Sequence, residues 1–287
     1  MYTHSLYVLT HSAMTVEQVI GQLQRLRLGQ RIEPPRREHW SRMGYGLTVH
    51  NPGEDVARLF IDVIPAPWPS GQALSAERAL SVAFRMGHFG FMVKPESYHL
   101  ALARADASEQ AEFLTHQAMV RLRLSLVEDH EHPWDVAAEK RLEALAQMHR
   151  CANFLLEHEL ALGLFSPSSR TLWTPRSAWR LFDSAMGDKQ HLWPLWASCQ
   201  VTATNDQNHI LESYGLGRLG LPEVVIDCRS EDALQLEPFY RQFVLTRLQQ
   251  GPGGQVDLVT TTHRLERIDD STRDSNPERY TLSKINS

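Results

Sequence analysis

The densest group of side chains that could hold a metal ion lies in residues 128–135, which read E-D-H-E-H-P-W-D. His130 and His132, with Asp129 or Asp135, could be ligands in a metal-dependent hydrolase, because imidazole and carboxylate groups are common zinc ligands. The spacing matches no established zinc motif, and acidic residues just before a helix are also typical of a solvated loop. We therefore predict a loop and no cofactor, with a metal site as the alternative.

A glycine motif at residues 215–220 reads G-L-G-R-L-G, the spacing of a dinucleotide-binding loop. That fingerprint requires a helix directly after the glycines, whose N-terminal amides hold the pyrophosphate. Here Leu221, Pro222 and Glu223 follow, and then an apolar strand. We therefore expect a tight connection packed between strands.

Cys228 directly follows the strand segment V-V-I-D at residues 224–227, a position where catalytic nucleophiles occur. A reactive thiolate needs a neighbouring base, and no histidine lies close in sequence. Cys151, Cys199 and Cys228 form neither a C-x-x-C motif nor an even set for disulfides, so we expect three reduced thiols. The sequence also lacks a G-x-S-x-G elbow, an H-E-x-x-H helix and a P-loop.

Charge and composition restrict the class of partner. Twenty-nine basic and 34 acidic residues give a net charge of −5, which disfavours a protein that coats nucleic-acid phosphates. No apolar run approaches the roughly 20 residues of a membrane-spanning helix, and the first residues lack the basic region of a signal peptide. We expect no nucleic-acid partner, no membrane partner and a cytoplasmic location.

The pattern of strands and helices predicts an α+β fold with antiparallel-rich mixed sheets in two structurally similar halves flanked by helices. Residues 1–127 form the N-terminal half, which opens with a strand and with a helix whose capping box begins at Thr15. In this half we also predict a strand at residues 98–103 and a helix at residues 108–126.

Residues 128–265 form the predicted C-terminal half, which opens with a long helix at residues 135–160. No obvious linker separates the halves, so we expect them to pack as one body. Residues 266–287 mix acidic and basic groups with Ser, Thr and Asn, and this composition predicts a mobile tail.

Seven tryptophans are many for a chain of 287 residues. Those at positions 173, 179, 193 and 196 are expected to face the core, whereas those at 40, 68 and 134 lie in loops rich in proline or charge. An exposed loop tryptophan beside acids is typical of a protein-binding anchor, and packing over a core edge is the alternative. The predicted partner-binding surface, called the acidic bridge below, consists of Glu128, Asp129, Glu131, Trp134 and Asp135.

The chain resembles bacterial immunity proteins of type VI secretion and polymorphic toxin systems, in the α+β family paired with restriction-endonuclease-like toxins. The resemblance rests on overall size, the strand-helix opening, H-F-G-F at residues 88–91, the tryptophan-rich residues 193–199, and G-R-L-G-L-P-E-V at residues 217–224. A second, uncharacterised bacterial family with a Gly-Leu-Pro-Glu-strand ending is similar over the C-terminal half. Neither family supplies functional residues.

Residues and resemblance together predict a stoichiometric inhibitor that binds a cognate protein toxin and is not itself an enzyme. An acidic surface would steer it toward a toxin with a basic cleft, such as a nuclease. The alternatives are a structural or adaptor protein of a secretion assembly and the metal-dependent hydrolase.

Overall fold

A computed structural model describes residues 3–26, 31–32, 45–50, 57–69, 71–76, 78–85, 89, 93–126, 138–184, 189–250, 258–259, 263–267 and 278–284. The chain divides into two units, Met1–Leu192 and Trp193–Ser287. Each unit has one antiparallel-rich sheet flanked by helices, so the predicted α+β class is confirmed. The division falls later than the predicted one after residue 127, because strands beyond that point complete the first sheet.

The sheet of the first unit has the order β2-β3-β4-β5-β1-β6-β7, and all neighbouring strands are antiparallel. Its central strand β1 is buried from His4 to Thr10, so layers cover both faces. The strands are β1 (Thr3–Thr10), β2 (Arg31–Ile32), β3 (Tyr45–His50), β4 (Ala57–Ile64), β5 (Ala118–Leu126), β6 (Ala161–Ser166) and β7 (Thr171–Trp173).

Helices of the first unit are α1 (Val16–Gln24), α2 (Gly71–Ala76), α3 (Arg78–Arg85), α4 (Ser97–Leu102), α5 (Ala107–Phe113), α6 (Ala138–Leu156) and α7 (Pro175–Ser184). The predicted capping box is confirmed, since the Thr15 side chain accepts from the Gln18 amide and the Gln18 side chain accepts from the Thr15 amide. The long helix α6 contacts α1, α7 and strands β1, β5 and β6.

An aromatic cluster covers the face of the first sheet that carries Tyr7 and Leu9. Trp68 lies at its centre, with its ring edge-on to Tyr7 at 5.0 Å and to Phe165 at 4.8 Å between centroids. Successive side chains of a strand point to opposite faces, so Leu6 and Val8 face the other layer. The core of this unit therefore lies on both sides of one sheet.

The second unit has a sheet with the order β11-β12-β13-β10-β9-β8, in which β10 and β13 are parallel and the other pairs are antiparallel. Its elements are β8 (Ser198–Asn205), β9 (Asn208–Tyr214), β10 (Val224–Arg229), α8 (Leu236–Gln250), β11 (Leu258–Val259), β12 (His263–Arg267) and β13 (Glu278–Lys284). Helix α8 packs on one face, where the rings of Phe243 and Tyr280 lie 5.2 Å apart and those of Phe239 and His263 lie 6.3 Å apart.

Three local predictions are wrong. Residues 98–103 were predicted as a strand and belong mainly to helix α4, while the predicted helix at residues 108–126 consists of α5 followed by the central strand β5. The predicted mobile tail contains β13, because residues 278–284 supply a buried apolar stripe between β10 and β12. The packing of the two halves as one body stays a prediction.

A helix that spans a membrane has to be both long and apolar. No helix in the described ranges meets both requirements.

Candidate functional site

The acidic bridge falls outside the described residues. The described chain leaves β5 at Leu126 and resumes in helix α6 at Ala138. All five of its residues lie in residues 127–137, and so do His130 and His132 of the alternative metal site. The bridge therefore stays a prediction.

The glycine motif forms the tight connection predicted for it. Gly215, with φ of 89°, and Gly220, with φ of 74°, bracket a short 3-10 helix, Leu216–Leu219, and strand β10 follows. Positive φ values of this size favour glycine, which has no Cβ to clash with the backbone. The motif joins the antiparallel neighbours β9 and β10.

The backbone amides of this motif donate hydrogen bonds to a carboxylate of the same chain. Oε1 of Glu223 accepts hydrogen bonds from the backbone N–H groups of Gly215 at 2.9 Å and Gly217 at 3.3 Å. Its Oε2 accepts from the Ser213 hydroxyl at 2.6 Å, and the Ser213 oxygen accepts from the Val224 amide at 2.7 Å. These amides would face a phosphate in a dinucleotide site, whereas here they bind Glu223 and close the loop.

An open cleft of about 680 Å³ lies at the carboxyl ends of the parallel strands β10 and β13. The strand ends, the tip of the β8-β9 hairpin and a 3-10 helix, Ser230–Gln235, all contribute to its wall. Its lining residues are Thr204, Asn208, Asp227, Cys228, Arg229, Glu231, Asp232, Thr281, Leu282 and Ser283. We call this feature the acidic cleft.

Carboxylates dominate the charge of the acidic cleft. Three of the lining residues carry a carboxylate, Asp227, Glu231 and Asp232. One carries a guanidinium, the exposed Arg229. Asp232 is 5% exposed, and its Oδ1 lies 2.9 Å from Nε2 of the buried His263 on strand β12. The half-buried Asp227 and the exposed Glu231 therefore present the negative charge that a partner can reach.

The cysteine at the floor of the acidic cleft has the properties of a structural thiol. Burial raises the pKa of Cys228 to about 11, and the nearby carboxylates of Asp232 and Asp227 act in the same direction. The thiol therefore stays protonated near neutral pH, which argues against a nucleophile. Cys151, Cys199 and Cys228 are all free thiols, as expected.

In the described ranges, no three side chains of His, Cys, Asp or Glu come together to hold a metal ion. Trp193 and Trp196 are buried, as predicted, but Trp179 is 48% exposed because it lies on the outer face of α7. Trp68, predicted in a loop, is a core residue whose Nε1 donates to the Pro95 carbonyl at 3.1 Å.

Sequence reasoning missed a cluster of buried charges in the first sheet. The carboxylate of Asp62 on β4 accepts from Nε of Arg121 at 2.7 Å and from Nε of Arg123 at 2.9 Å, both on β5. Burial alone would raise the pKa of Asp62, but the charges and hydrogen bonds of the two arginines lower it below the usual range. The cluster joins two central strands, and its side chains are 0% exposed for Arg121, 2% for Asp62 and 11% for Arg123, so its role is structural.

Comparisons with known proteins identify no relative. The chain matches no protein-family model, no curated protein and no solved structure.

Proposed function

We propose that this chain is an immunity protein that binds a cognate toxic effector, a nuclease, in the cytoplasm and neutralises it by stoichiometric inhibition. The observation that carries the proposal is the acidic cleft, which presents carboxylates of Asp227 and Glu231 at an open end of the second sheet. The family resemblance of the sequence is consistent with this function.

The chemistry of a nuclease explains why such a surface would bind it. A nuclease cleft carries Lys and Arg side chains that contact phosphates, and carboxylates can pair with the same groups. The net charge of −5 adds long-range attraction, which raises the rate of association with a basic partner. The inhibitor would thus occupy the surface that the nucleic acid needs.

Co-expression with the toxin encoded beside this chain tests the function. We expect the chain to restore growth of cells that express the toxin and to purify with it as a stable complex. Growth that stays arrested with every neighbouring toxin candidate would contradict the immunity function, and a stable complex without rescue would favour the adaptor alternative.

Charge reversal tests the location of the interface. Asp227→Lys with Glu231→Lys should slow association at least about tenfold and weaken its dependence on salt, because the attraction is electrostatic. Glu159→Lys, at an exposed position of the first unit, is the matched control and should have little effect. A second variant replaces the acids of the acidic bridge with lysine at Glu128, Asp129, Glu131 and Asp135. If this variant loses toxin binding while the cleft variant keeps it, the interface is the acidic bridge and not the acidic cleft.

A further inference from the structure

Strand β8 is a long, exposed edge of the second sheet. It is the last strand in the sheet order, and its residues 200–205 are exposed, including Val201 at 40%. The other described edge strands are short: β2 and β11 have two residues and β7 has three, whereas β8 has eight. The Ser198 carbonyl at the start of β8 accepts from the Tyr240 hydroxyl at 3.0 Å. The exposed residues 200–205 that follow present the row of backbone N–H and C=O groups that another strand can pair with.

The sequence of β8 lacks two of the features that normally prevent such pairing, charge and proline. It reads S-C-Q-V-T-A-T-N, with no charged residue and no proline. Proteins usually protect exposed edges with lysine, proline or a bulge. The register shift of this strand lies near the hairpin tip, between Ala203 and Asn205, so the segment before it pairs regularly with β9.

We infer that β8 pairs antiparallel with β8 of a second copy of this chain, so that the two sheets become continuous. An antiparallel pair of identical strands is related by a two-fold axis, and each strand then meets its own sequence reversed. With the axis at Val201, that residue faces its own copy, Cys199 faces Ala203, and Gln200 faces Thr202. Apolar residues thus meet apolar residues, and polar residues meet polar ones.

The two faces of β8 are consistent with this arrangement. Val201 is opposite the buried Leu211 of β9, so Cys199, Val201 and Ala203 share the face of the sheet on which α8 packs. Gln200 and Thr202 lie on the other face, opposite Glu212 and Ile210. In the proposed pair, the side chains of each face of β8 lie next to those of the same face in the second copy. Because β8 is neutral, no like charges meet.

The mass of the full-length chain in solution tests the inference. Light scattering at micromolar concentration should give a dimer of twice the chain mass of 32.8 kDa. Val201→Lys should raise the dissociation constant of the dimer at least about tenfold, because two like charges would then face each other at the axis. Val82→Lys, the same change at a 47% exposed valine on α3, is the control and should leave the dimer intact.

Hydrogen exchange separates the role of β8 from a general effect on folding. Amides of residues 200–204 should exchange more slowly in the wild-type dimer than in Val201→Lys at a concentration where the variant is monomeric. Amides of the central strand β1 should stay protected in both, which shows that the variant remains folded. Thr202→Lys, on the opposite face, should weaken the dimer as well. A wild-type chain that stays monomeric, or a dimer that tolerates both lysines, would overturn the inference. A monomer whose β8 amides become protected only when a toxin binds would assign the edge to that partner and also overturn self-pairing.

Discussion

Arg247 of α8 and Glu278 of β13 form an ion pair in which Nη2 and Oε2 lie 2.5 Å apart. The Tyr280 hydroxyl joins the pair, since it accepts from Arg247 at 3.0 Å and donates to Glu278 at 2.7 Å. The Arg247 side chain is 1% exposed, and burial is the main cause that raises the pKa of Tyr280 to about 12. The cluster ties the last described strand to α8, the long helix that packs on this sheet.

Removal of β13 should therefore unfold much of the second unit. A chain that ends at residue 277 loses the strand between β10 and β12 together with Glu278 and Tyr280. We expect hydrogen exchange of α8 and β10 to approach the rate of an unfolded chain, because Arg247 would lose its buried partner. A chain that ends at residue 284 keeps β13 and serves as the control. Unchanged protection of β10 in the shorter chain would contradict the structural role of this strand.

Loss of Asp62 should strongly destabilise the first unit. The variant Asp62→Asn leaves Arg121 and Arg123 as buried charges without their carboxylate, and breaking a buried ion pair in this way costs about 3–5 kcal/mol. Denaturant unfolding measures the change in the free energy of unfolding. Asp183→Asn, at an exposed position on α7, is the matched control and should leave that free energy close to the wild-type value. A loss as small as that of the control would show that solvent reaches the arginines.

Two glycine substitutions should have opposite effects. In Gly163→Ala the new Cβ would overlap the Phe113 ring and lie 2.6 Å from the Trp173 carbonyl oxygen, so we expect a loss of about 1–3 kcal/mol. In Gly21→Ala the Cβ meets nothing within 4 Å inside helix α1, and the gain in helix propensity should be about 0.5–1 kcal/mol. Thermal unfolding of both variants checks the signs. If Gly163→Ala does not lower the unfolding temperature, β6 must shift to make room for the new Cβ.

Burial of His149 should make the protein less stable in mild acid. The ring lies 5.0 Å from that of Phe182, and burial lowers the pKa of His149 from 6.5 to about 3, although the backbone of Ala178 opposes this in part. Below pH 6.5 the unfolded chain binds a proton that the folded chain does not, so the free energy of unfolding falls as the pH drops toward 3. The slope from this one group is about 1.4 kcal/mol per pH unit.

Unfolding by denaturant at several pH values between 7 and 4 measures this slope. The variant His149→Leu cannot bind the proton, so its curve should be flatter than that of the wild type whatever its absolute stability. His99→Leu removes an exposed histidine of α4 and is the control. If the two variants have the same slope, His149 does not cause the acid sensitivity.

Sequence patterns predicted those parts of the fold that depend on residues close to each other in the sequence. The capping box at Thr15 and the connection formed by the glycine motif are both set within about ten residues, and both were predicted. Strand β5 was missed, although its residues alternate between apolar and polar from Val120 to Ser125. The capped helix α5 directly before it extended the helical interpretation too far.

The buried charges and the acidic cleft depend on contacts between distant parts of the chain. Arg121 is buried because Asp62, 59 residues earlier, lies beside it on the next strand, and no local pattern shows that pairing. The acidic cleft needs Thr281 and Ser283 beside Asp227, which requires the parallel register of β10 and β13. The polar composition around β13 concealed a strand whose apolar residues, Tyr280 and Leu282, are few but buried.

The parallel pairing of β10 with β13 also determines the order in which the second unit can be completed on the ribosome. Val224 pairs with Glu278, so translation must continue well beyond β10, through β11 and β12, before its neighbour exists. Until then a nascent chain carries two open strand edges, on β10 and on β12, which chaperones or other unfinished chains can bind. Limited proteolysis of ribosome-stalled chains checks this. Chains that end before β13 should be cut readily in the second unit, and chains that include β13 should resist the protease.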